Sequence, residues 1–122
     1  MFGLFQRPRL DARFEPTRAL TDEFARQMLL EGRLTLVNEG SDAVLGDIEM
    51  MVIAGFRRIP LEVPAEWRAL RVASGARREG EVSWCLTLDA PLRAEVGELS
   101  LSLRDQKRRK WDWRLPFAFD RR

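Results

Sequence analysis

Apolar and polar residues alternate one for one through the last third of the chain. Val82, Trp84, Leu86 and Leu88 interleave with Glu81, Ser83, Cys85 and Thr87. Leu99, Leu101 and Leu103 interleave with Ser100, Ser102 and Arg104, and Trp111, Trp113, Leu115, Phe117 and Phe119 with Asp112, Arg114, Pro116 and Ala118. A period of two places successive side chains on opposite faces of a strand, whereas a helix would scatter each set around its circumference. Three consecutive strands are therefore predicted, each with one apolar face. The polar stretch Asp105 to Lys110 is predicted to close the last two into an antiparallel hairpin with a wide loop.

The same period recurs upstream in shorter pieces. Leu34 and Leu36 alternate with Arg33 and Thr35 before a turn at Asn38-Glu39-Gly40, and Ile48, Met50 and Val52 form a strand closed by Gly55. Ile59, Leu61 and Val63 make a short strand bracketed by Pro60 and Pro64, which suggests a sheet edge because proline cannot donate to a ladder on both sides. Leu70 and Val72 precede the turn at Ser74-Gly75. Nearer the start, Arg9 to Arg13 reads as a first strand ending at Pro16. Thr21 could cap one or two helical turns over 21–30, against a competing strand that begins near Met28; the strand is the preferred reading. Seven to eight short strands with regular turn signals and no βαβ alternation predict a single all-β domain over residues 1–122, an immunoglobulin-like antiparallel β-sandwich.

Some segments resemble the arrestin-like sandwich, in particular one domain of bacterial sporulation-control proteins. Arg9-Leu10-Asp11-Ala12-Arg13-Phe14 resembles that family's first strand. Gly32 to Val37 followed by Ile48 to Val52 resembles its next pair, and Glu81 to Pro91 a later strand that ends at proline. The family uses the fold twice, so one copy is matched here. The resemblance implies a non-enzymatic adaptor or regulator and assigns no binding residue by position.

Composition narrows the options further. The net charge is only +2, but residues 104–122 hold eight basic and three acidic side chains, +5 in all, leaving −3 for residues 1–103. A single cysteine, Cys85, excludes an internal disulfide and suits a reducing compartment. The N-terminal Met-Phe-Gly-Leu-Phe-Gln-Arg-Pro-Arg has no long apolar run and no small-residue cleavage site, and no stretch approaches the roughly 20 apolar residues of a membrane span. A cytoplasmic protein without a transmembrane segment is expected.

Chemistry is sparse. Histidine and tyrosine are absent, so Ser-His-Asp and Cys-His arrangements and histidine metal sites are excluded. One cysteine cannot build a zinc or iron–sulfur site alone, and neither GxxxxGK[ST] nor GxGxxG occurs. Adjacent carboxylates such as Asp22 and Glu23 point to opposite faces of a strand and read as solvated charges. No catalytic residue, cofactor or metal is expected. Cys85 lies on the polar register of its strand, Trp84 on the apolar register as a core residue, and Trp67 in a loop, partly exposed.

Two readings of function remain. The first is a protein-interaction or adaptor module that binds another protein or itself as a homodimer, the strand from Trp111 to Phe119 adding to a second sheet. The alternative is binding of nucleic acid or an anionic surface through Lys107, Arg108, Arg109 and Lys110, with Trp111 offering a ring for stacking. A solvated loop that blunts the sheet edge would produce the same basic run.

Overall fold

The computed structural model describes residues 7–121. Residues 1–6, which include most of the N-terminal stretch read for a targeting signal, and Arg122 of the basic tail lie outside the described residues. The elements run β1 (Leu10–Asp22), β2 (Gln27–Asn38), β3 (Ala43–Ala54), β4 (Arg57–Leu61), a 3-10 turn (Ala65–Trp67), β5 (Leu70–Val72), β6 (Arg77–Thr87), β7 (Val96–Asp105), β8 (Lys110–Ala118) and β9 (Asp120–Arg121). One sheet has the order β6-β2-β1-β9 and the other β4-β3-β7-β8, with β5 also on β3. The all-β sandwich expected from the alternation is the fold observed. Eight strands carry it, and a two-residue ninth pairs with β1 in parallel, the one exception to antiparallel order among the described residues. Among them no helix is long and apolar enough to cross a membrane.

The apolar faces of both sheets meet in one core. Leu30, Leu34 and Trp84 from the first sheet and Val52, Leu99 and Leu101 from the second are buried within it. Trp84 is buried as its register requires, and its indole N–H donates to the Glu62 carbonyl at 2.7 Å. Trp67 is equally buried, not partly exposed. The chain crosses there from β4 to β5, and the 3-10 turn drives the indole against Gly80, where a side chain would meet it at 3.1 Å.

Two irregularities extend the strands beyond their sequence signals. β1 does not stop at Pro16: its register with β2 shifts between Pro16 and Arg18, and the strand continues to Asp22. A proline at such a shift costs no regular ladder bond. Opposite it sits Gly32, where a Cβ would lie 2.5 Å from the Glu15 carbonyl and 2.6 Å from the Phe14 ring. In β3 the register with β7 shifts between Gly46 and Glu49, with Asp47 at a φ of +50°. The helical alternative over 21–30 gives way to a tight turn in which the Asp22 carboxylate accepts the N–H groups of Phe24 and Ala25.

The strand that Pro60 was expected to mark as an edge is one. β4, with Pro60, lies at one border of its sheet, and β8, with Pro116, at the other.

Candidate functional site

Residues 7–9, the loop 39–42, the turn 73–76 and the β7–β8 hairpin all gather at one end of the sandwich. The joint between three of them is Asn38, fully buried at the end of β2. Its Oδ1 accepts the N–H groups of Arg9 (3.2 Å) and Gly40 (2.9 Å), and its Nδ2 donates to the carbonyls of Ser41 (2.7 Å) and Val72 (3.0 Å). The Asn38 backbone completes the joint, donating to Ala76 O and accepting from Gly75 N. Residues 7–9 are thus fixed alongside the 39–41 loop, with Glu39 N donating to Arg9 O and Ser41 N to Arg7 O.

The hairpin tip is tighter than the wide loop expected. Asp105 O accepts from Arg108 N, Arg108 adopts a φ of +62°, and Asp105 N donates to Arg109 O. This is a type I turn followed by a left-handed residue, a common three-residue hairpin loop. Asp105 builds it. Its carboxylate is inaccessible to solvent and accepts Lys107 N at 3.0 Å, Arg109 N at 2.7 Å and Arg109 Nε at 2.7 Å. Burial alone would raise its pKa. The Arg109 hydrogen bonds and positive charge, with the Lys107 N–H, outweigh that and hold it below the ordinary value of 3.8.

The five residues singled out at the tip therefore do not form one patch. Lys107 and Arg108 project into solvent. Arg109 folds back onto Asp105, and exposed Lys110 lies 3.7 Å from Asp112 on the outer face of β8. Trp111 is half-buried. Arg109, Lys110 and Trp111 instead share an open cleft of about 470 Å³ with Arg7, Pro8, Arg9 and Leu10. Four cations line that cleft, and none of its lining residues is a carboxylate.

The edge strand β8 is the second candidate. Its ladder with β7 is bounded by Asp105 N donating to Arg109 O at one end and Phe119 N donating to Glu95 O at the other. In an antiparallel ladder the bonded pairs recur at every second residue. The odd-numbered residues of β8 therefore exchange bonds with β7, and the even-numbered ones turn their backbone groups outward. Pro116, opposite Glu98, fits that parity because it has no N–H to give. The outer edge thus presents donors at Lys110, Asp112, Arg114 and Ala118, all exposed, and no strand among the described residues covers it. On the sandwich side Trp111, Trp113 and Leu115 are only partly buried against the core, whereas Phe117 is buried.

No family model and no curated protein matches this chain. Its fold does have solved counterparts. It is similar to the putative ApaA protein from Bordetella pertussis, with a TM-score of 0.59 over 93% of this chain and 96% of that one at 13% identity. It is also similar to the structural-genomics target SoR45, with a TM-score of 0.55 over 92% of this chain and 85% of that one at 9% identity. At such identities the likeness is one of fold alone.

Several residues of interest carried no sequence signal. Arg7 and Arg9 enter the cleft only because residues 7–9 zip onto a loop thirty residues away. At the opposite end, Phe24 and Phe56 are fully exposed. Each stands on a tight turn tied to the same segment: Arg26 donates to Asp89 O, and Arg57 to the Asp89 carboxylate and to Ala90 O and Pro91 O. Gly55, at a φ of +61°, is the residue that lets the Phe56 turn close in two residues. Cys85 is exposed, as its register indicates. Among the described residues no group of three or more acidic or sulfur side chains could hold a metal ion.

Proposed function

We propose that this protein is a non-enzymatic interaction module that engages its partner by strand addition to β8. The observation that carries the reading is the outer edge of β8, where exposed backbone groups run beside the half-buried side chains of Trp111, Trp113 and Leu115. Strand addition draws its affinity from main-chain hydrogen bonds and its selectivity from alternate side chains, and needs no catalytic group. The edge carries Lys110, Asp112, Arg114 and Pro116, the devices by which sheets avoid indiscriminate pairing. An adaptor role also agrees with the arrestin-like resemblance of the sequence.

The test is amide exchange at Asp112 and Arg114 in isotope-labelled protein. Dilute and pure, both amides exchange quickly, because their N–H groups face water. Engaged by a partner strand, in concentrated solution or in a cell extract, both become protected while the odd-numbered amides of β8 stay as they were. Arg114→Pro removes one outward donor without touching the β7 ladder and abolishes the protection at Asp112. Unchanged fast exchange at both amides under every condition refutes strand addition.

The cleft beside the hairpin favours a second reading, binding of a phosphodiester chain. Arg7, Arg9, Arg109 and Lys110 surround it and Trp111 forms part of its wall, a combination suited to phosphate contact and base stacking. Fluorescence anisotropy with a single-stranded oligonucleotide at two salt concentrations tests it. A Kd that weakens with salt and is lost in Arg7→Gln/Arg9→Gln supports the cleft, and salt-independent or absent binding refutes it.

A further inference from the structure

We infer that the strand added to β8 is β8 of a second copy of this chain, antiparallel, about a two-fold axis through Trp113. The inference rests on the strand-addition reading above and specifies its partner and register.

Parity and charge select the register. Only the even-numbered residues of β8 can bond outward, so an antiparallel self-pairing must set even residues opposite even residues. Centring the axis on Asp112 places that carboxylate against its own symmetry mate. Centring it on Arg114 does the same with two guanidinium groups and sets Pro116, which cannot donate, against Asp112. Centring it on Trp111 opposes Lys110 and Asp112 but brings only the first few residues of the strand into register, because β8 begins at Lys110. An axis through Trp113 opposes no like charges, and it moves Pro116 to the end pair, opposite Lys110, where its missing N–H forfeits one bond at each end. Lys110 to Pro116 overlap in full, and Asp112 of each copy faces Arg114 of the other, twice.

In that register Asp112 N–H donates to the Arg114 carbonyl of the second copy and Arg114 N–H to its Asp112 carbonyl, and both bonds recur by symmetry. Lys110 N–H reaches the carbonyl of Pro116, which needs no donor of its own to accept it. Opposite charges directly across an antiparallel pair are favourable and like charges unfavourable. The Lys110–Asp112 ion pair, 3.7 Å long and exposed at both ends, is too weak to hold Asp112 back from a facing arginine. On the sandwich side Trp113 meets its symmetry mate across the axis, and Trp111 meets Leu115. The side chains left partly buried in one copy thus complete each other, and the two larger sheets join into one.

The experiment is sedimentation equilibrium on the wild type and on three variants of exposed residues, Asp112→Arg, Arg114→Asp and the double exchange. Each single variant sets two like charges across the axis twice, and its dimerisation weakens about tenfold or more. An equimolar mixture of the two single variants forms heterodimers, because one strand then carries two arginines and the other two aspartates. The double exchange restores the homodimer. The proposal is overturned if the single variants dimerise as the wild type does, if neither the mixture nor the double exchange recovers association, or if the wild type stays monomeric at the highest concentration reached. In the last case, amide protection of Asp112 and Arg114 in cell extract would preserve strand addition and assign the edge to a different protein. Fast exchange there as well would remove both readings together.

Discussion

Replacing Asn38 by alanine removes one side chain and unpairs four backbone groups in three segments. The amide makes hydrogen bonds of 3.2, 2.9, 2.7 and 3.0 Å, to Arg9 N, Gly40 N, Ser41 O and Val72 O. A hydrogen bond of this kind contributes about 0.5–1.5 kcal/mol net, and a buried partner left unpaired costs more. The bond to Val72 is fully buried and the others lie nearer the surface, where water can replace them in part. The expected loss therefore lies in the lower half of the roughly 2–6 kcal/mol that four such bonds span, at about 3 kcal/mol. At roughly 3–5 °C per kcal/mol for a domain of this size, Tm should fall by about 10–15 °C. Thermal and urea unfolding followed by circular dichroism measure it. Asn38→Asp separates the two halves of the amide. It keeps both acceptor bonds but turns a buried carboxylate toward the carbonyls of Ser41 and Val72, so at neutral pH it should be no better than alanine. Acidification should restore part of its stability, because a protonated carboxyl can donate to one of the two carbonyls. An alanine variant within about 1 kcal/mol of wild type, or an aspartate variant equal to it, would refute the view of Asn38 as the joint of this end.

Other perturbations have equally definite outcomes. The Asp105 carboxyl titrates below its unfolded value of 3.8, so its stabilising contribution is complete above that value and is lost as pH falls through the folded pKa. The difference in urea midpoint between wild type and Asp105→Asn should accordingly be large at neutral pH and shrink below about pH 4. Arg108→Gly should stabilise the protein by about 0.5–1 kcal/mol, because glycine holds a φ of +62° without strain; a lower urea midpoint would contradict the turn assignment. Phe24→Ser and Phe56→Ser should each change stability by no more than about 0.5 kcal/mol, since neither ring is buried, and a larger thermal shift would show that they pack on something.

The parts of this fold visible in the sequence are those where burial acts on one face of a strand at a time. Val82, Trp84 and Leu88 are buried while Glu81, Ser83, Cys85 and Thr87 are exposed, and that contrast is the alternation itself. What escaped the sequence depended on partners distant in the chain. Pro16 reads as a strand terminator on its own and is tolerated only because the register with β2 shifts beside it. The capping chemistry read at Thr21 belongs to Asp22, one residue on, and closes a turn instead of opening a helix. Trp67 follows a proline in an irregular segment, and nothing local shows that this segment crosses the open side of the sandwich. The same limit applies to the site. Four adjacent cations look alike in a string, yet a buried aspartate at the base of the hairpin holds one, a strand carries another on its outer face, and two face water. The strand from Trp111 to Phe119 was the more legible feature, because the alternation that marks it belongs to the strand itself.

The close approach of the Phe14 ring to Gly32 has a consequence for tracing relatives. Position 32 acts as a filter on substitution: a single methyl group would strike the Glu15 carbonyl on one side and the Phe14 ring on the other, and the carbonyl is part of the β1 backbone paired with β2. In a saturation mutagenesis library sorted for folded protein, every replacement there should be depleted, alanine included, whereas Leu34 two positions on should accept other aliphatic residues. Leucines that alternate with charges are common to any sandwich and so identify none in particular. A glycine across the sheet from a proline-marked slip, six residues ahead of a buried asparagine, is a far rarer landmark, and the one by which diverged copies of this domain would be picked out among unrelated ones.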